Sequence, residues 1–108
     1  MKPITNASYQ GVDQRSCPRT DVYARVPLNL PDGQPAMVTI VNISADGALI
    51  RHEQTITDNG IVHFSMPVLG KVAGRCIWSL GGRSGIQFLQ GMPLSDYVPL
   101  LRALGANI

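Results

Sequence analysis

The spacing of tight-turn dipeptides constrains this chain more than any other feature. Asp32-Gly33, Asp46-Gly47, Asn59-Gly60 and Gly81-Gly82 punctuate it, and such pairs supply the left-handed backbone that closes a short hairpin. Between them, Val22, Ala24, Val26, Leu28 and Leu30 alternate with Tyr23, Arg25, Pro27 and Asn29, the period of a half-buried strand. Pro27 has no amide hydrogen, which predicts an edge, a strand end or a bulge there. Further strands are expected from Met37 to Ile43, Ala48 to Arg51, Ile61 to Met66, Val72 to Ser79 and Gly85 to Leu89. Six short strands separated by turns predict an all-β, six-stranded antiparallel barrel, because closure removes edges that so small a chain can hardly cover.

Only the end departs from this period. Tyr97, Leu100, Leu101 and Leu104 recur at helical spacing, which predicts a C-terminal α-helix packed on the barrel. Asp96 is the expected cap, Pro99 then falls in the first turn, and Gly105 ends the helix. The first fourteen residues are polar and poor in large apolar groups, and read as a flexible N-terminal arm over 1–14 ahead of a single domain over 15–108. A length of 108 residues fits one domain.

The chemistry-bearing residues exclude several classes of function. No nucleophile elbow, phosphate-binding loop or paired carboxylates occur, and His52 and His63 read as surface or satisfied barrel residues, so no catalytic residue is expected. Cys17 and Cys76 have no metal-ligand spacing and read as free thiols, without a metal site. Net charge is only +2 and there are six aromatic residues, of which Phe64 and Phe88 read as core. That leaves too little for a nucleic-acid stacking platform. No apolar run is long enough to insert in a membrane, and no leader-like apolar region opens the chain. A cytoplasmic monomer is expected.

What remains is a pair of short elements. Arg15 and Arg19 form Arg-x-x-x-Arg, and Asn42, Ser44 and Gly47 form Asn-x-Ser-x-x-Gly about twenty residues later. Guanidinium forks suit phosphates and the acceptor edge of guanine. A polar turn after a strand offers amide, hydroxyl and backbone donors. In this order and at this distance, in a small all-β chain, the two elements resemble the PilZ domain family.

That resemblance implies a barrel binding the bacterial second messenger cyclic di-GMP, with Arg15 and Arg19 on its phosphates and guanines and Asn42, Ser44 and Gly47 completing the site. Gly47 is expected to combine positive φ with close backbone approach to ligand. Gln14 and Trp78 are weaker candidates, Trp78 as a residue packing beside a guanine. Cyclic di-GMP is then a ligand, with no cofactor implied. Ligand is expected to draw the N-terminal arm onto the barrel and so signal to an unidentified protein effector. The alternative is a PilZ-fold adaptor that binds a protein and does not respond to nucleotide. No fused enzymatic or motor domain is visible, so the module is expected to stand alone.

Overall fold

The computed structural model describes residues 18–106. The arm over 1–14, with Gln14, and also Arg15 and Cys17, lie outside the described residues. Six strands follow in chain order: β1 (Thr20–Asn29), β2 (Pro35–Ile43), β3 (Gly47–Arg51), β4 (Ile61–Met66), β5 (Gly70–Leu80) and β6 (Arg83–Phe88), then helix α1 (Leu94–Ala103). They close into an antiparallel barrel in the order β1-β2-β3-β6-β5-β4. Hairpins account for most neighbours. The exceptions are β3 beside β6 and the closing pair β1 beside β4; the loop after β3 therefore travels to β4, anchored on the way by His52 N–H donating to Gly82 O at 2.9 Å and by buried Ile56.

Alternation along the strands sends Leu28, Ile40, Ile50, Val62 and Phe64 into a fully buried interior. Phe64 and Phe88 meet there edge to face, with ring centroids 6.0 Å apart, a favoured aromatic geometry. Pro27 pairs with Met37 on β2, while the seam joining β1 to β4 holds only Leu28↔Phe64 and Asn29↔His63. The residue without an amide hydrogen therefore stands where that seam stops, as its chemistry requires.

The apolar stripe of α1 is buried as its spacing predicts: Tyr97, Leu100, Leu101 and Leu104 all join the core. The start of the helix differs from expectation. Its N-cap is Pro93, extended at φ −68 and ψ 157, with no side-chain cap. Asp96 instead lies in the first turn, where its charge favours the positive end of the helix dipole. Pro99 consequently falls in the second turn, not the first, and its ring removes one intrahelical hydrogen bond. Burial of the stripe outweighs that local cost, since tertiary packing is what holds short helices.

Candidate functional site

Pairing of β1 with β2 brings the two halves of the sequence pattern together. Asp21 lies opposite Asn42 and Thr20 opposite Ile43, so Arg19, just before β1, reaches the end of β2. Its Nη1 donates to Asn42 Oδ1 at 3.0 Å on the exposed surface. One of five guanidinium donors is engaged. The others remain available, and the group is held in a defined direction.

Asn42 belongs to a row crossing the outer face of the barrel. It pairs with Leu49, Leu49 with Gly85, and Gly85 with Trp78. Facing residues in register share a face of the sheet, so Trp78 stands on the same side as Asn42, three strands away or roughly 14 Å at ordinary strand spacing. The indole closes part of that gap. It leans over Gly85, where an added Cβ would overlap its Nε1, and remains 44% exposed. Glycine at position 85 thus leaves the flat of the ring room to lie on the sheet.

The three register shifts in the barrel fall between Asp21 and Ala24, Ile40 and Asn42, and Cys76 and Trp78. Each borders this same row. Bulges re-aim side chains and cluster beside functional sites. The first also holds exposed Tyr23 at φ 52, a conformation costing a bulky residue about 1–3 kcal/mol.

Ser44 is engaged within its own turn. Its side chain is nearly fully buried, and its hydroxyl accepts from the amides of Asp46 at 3.1 Å and Gly47 at 3.2 Å. Its own amide donates to Gly47 O at 2.8 Å. This is a serine-closed turn, so the hydroxyl shapes the corner.

Gly47 does not adopt positive φ, contrary to the expectation, because it is already the first residue of β3, opposite Gln87. Glycine is needed there for another reason: a Cβ would overlap the backbone carbonyl oxygen of Ile86. The close approach is to strand β6.

The corner is braced from behind. Phe88 N–H donates to Asp46 O at 2.8 Å, Met92 N–H to Ala45 O at 3.0 Å, and Tyr97 O–H to Ile43 O at 2.9 Å. Tyr97 therefore fastens α1 to the strand end that presents Asn42. Sequence reasoning placed it only in the apolar stripe. The signal that marks it is its hydroxyl, the one polar side-chain group on that stripe.

A second polar cluster imitates a catalytic array. His52 Nδ1 donates to Gln54 O at 2.7 Å, Nε2 lies 2.7 Å from Ser84 Oγ, and Ser84 lies 2.8 Å from Ser79 Oγ. Ser84 is fully buried, and the array supplies partners to both ring nitrogens of a buried histidine. His63 is exposed. Burial pushes the free Cys76 thiol up from its usual range, the opposite of what a nucleophile requires. Among the described residues, no group of three or more His, Cys, Asp or Glu could hold a metal ion, and no helix is long and apolar enough to cross a membrane.

An exposed arginine tied to an asparagine at a strand end thus stands beside a serine-closed turn on a six-stranded barrel. Residues 13–105 match the PilZ domain; the chain belongs to that family. Among solved structures it is similar to the PlzA protein of Borreliella burgdorferi in complex with c-di-GMP, with a TM-score of 0.59 and 20% identity. The alignment covers 85% of this chain and 41% of that one, so the chain spans well under half of that relative's length. A comparison with curated proteins found no match.

Proposed function

We propose that the protein is a receptor for cyclic di-GMP and that the row from Arg19 and Asn42 to Trp78 is its binding face. The observation carrying this reading is the Arg19–Asn42 hydrogen bond, which unites residues 23 positions apart at the place the family's two-part pattern requires. Held through Nη1, the Arg19 guanidinium offers its remaining donors to a phosphate or a guanine acceptor edge. Arg15, four residues earlier, supplies a second fork. Trp78 offers an exposed aromatic face for a purine, and stacking of that kind contributes about 1–3 kcal/mol per base. The turn from Ser44 to Gly47 acts mainly by fixing the direction of Asn42 and presenting a rigid corner.

Ligand held by Arg15 and Arg19 fastens the segment before β1, Gln14 included, against the barrel, and the altered surface is what a protein effector reads. Such an order-changing switch draws on binding energy to offset the entropy of fixing the segment. The test is affinity for cyclic di-GMP in Arg15→Ala, Arg19→Ala and Arg19→Lys. Each alanine variant is expected to weaken binding about ten- to hundred-fold, from roughly 1.5–3 kcal/mol per lost charge-assisted contact. Lysine at position 19 restores charge without the fork and recovers only part. Parental affinity in both alanine variants overturns the site; a parent that ignores cyclic di-GMP leaves the nucleotide-independent adaptor.

A further inference from the structure

A second outward row lies beside the first. Arg25 pairs with Thr39, Thr39 with Arg51, and Arg51 with Arg83. On β3 and β6 this row is two residues along from Leu49 and Gly85, roughly 7 Å at strand spacing. All three arginines are exposed, and they line a groove of about 580 Å³ together with Gln54 and the Gly81-Gly82 turn. The turn has no side chain to roof it. Volumes of this order enclose small-molecule ligands.

Two features point to an anion. Arg51 and Arg83 are directly opposite in the ladder, and like charges so placed destabilise a sheet. An anion between them turns that repulsion into charge-assisted hydrogen bonds, which guanidinium forks make best with phosphate or carboxylate. Thr39 places a hydroxyl between Arg25 and the other two. Glu53 also lines the groove, so the anion belongs at the arginine side. The three arginines make up a third of the nine Lys and Arg residues in a chain of net charge +2. That concentrates charge at one spot and leaves no long basic track of the kind a nucleic-acid duplex needs.

We infer that the groove lined by Arg25, Arg51 and Arg83 is a second anion site that takes a phosphate-bearing small molecule, separate from the Arg19–Asn42 row. The test titrates inorganic pyrophosphate into the ¹⁵N-labelled full chain at low ionic strength, following arginine Nε–Hε signals and the Thr39 and Gly82 amides. Chloride at matched ionic strength is the control. Saturable shifts are expected at Arg25, Arg51 and Arg83, with affinity falling about ten-fold in Arg51→Gln and again in Arg83→Gln. Arg19→Ala retains the response, which separates this site from the cyclic di-GMP reading. Shifts that chloride reproduces, that spread without saturation over every exposed basic residue, or that occur only at Arg19 overturn the inference. Melting curves of both glutamine variants verify that they are folded, and Arg25→Gln provides a third independent removal of charge.

Discussion

Replacing Ser44 with alanine separates a residue that touches ligand from one that builds the corner. The hydroxyl accepts from two amides, that of Gly47 in a buried position and that of Asp46 in a partly buried one. An unmet buried donor costs about 1–3 kcal/mol, whereas a partly buried amide regains water and loses only the net value of a bond, about 0.5–1.5 kcal/mol. Together these predict a loss of about 1.5–4.5 kcal/mol. For a domain near 100 residues each kcal/mol moves Tm by roughly 4–8 °C, so a fall of about 6 °C or more is expected by calorimetry, with a matching drop in the urea midpoint. Affinity for cyclic di-GMP, measured in the cold where the variant remains folded, is expected to weaken by up to about ten-fold as Asn42 loses its fixed direction. A Tm within about 2 °C of the parent, together with a large loss of affinity, would refute the structural role and return the hydroxyl to the ligand.

Other outcomes follow from the same geometry. Gly47→Ala forces a methyl group onto the Ile86 carbonyl and is expected to cost about 1–3 kcal/mol or more, as overpacking does, seen in denaturant unfolding. Gly85→Ala pushes instead on the half-exposed Trp78 ring, which can swing away; its Tm is expected to change little while tryptophan fluorescence shifts and cyclic di-GMP binding weakens. Tyr97→Phe removes the donor to Ile43 O and is expected to lower stability by about 1–2 kcal/mol and loosen the Asn42 corner, read as faster amide exchange at Ile43 and Ser44. The thiol of Cys76 is raised by burial, so the unfolded chain ionises first. The stability it contributes is complete below the unfolded pKa of about 8.5 and is lost as pH rises toward the higher folded value. The slope of unfolding free energy against pH above that point is expected to flatten in Cys76→Ala.

Much of the fold was legible because its signals are local. Turn dipeptides and period-two alternation locate all six strands, and the leucine spacing locates α1. Helix capping was less legible, since Asp96 is a good cap in isolation but Pro93 begins the helix three residues earlier. The two-part pattern of the site was readable, yet what joins it was not: the Arg19–Asn42 contact depends on pairing between strands. The same holds for Trp78 over Gly85 and for the arginine row, whose members are scattered in sequence and collected only by register. Gly47 and Ser44 make a complementary case. Their motif positions were clear, but their contacts with Ile86 and with the turn amides are contained in no linear pattern.

The most direct measurement is a calorimetric titration of the full chain with cyclic di-GMP, GMP and cyclic AMP, repeated in Arg19→Ala, Asn42→Ala and the double variant. Saturable binding of cyclic di-GMP, with GMP and cyclic AMP far weaker, is predicted for the parent. The two substitutions are predicted to be non-additive, since they remove the two ends of one hydrogen bond, and such neighbours couple by about 0.5–3 kcal/mol. No heat with cyclic di-GMP, or parental affinity in the double variant, would contradict the account.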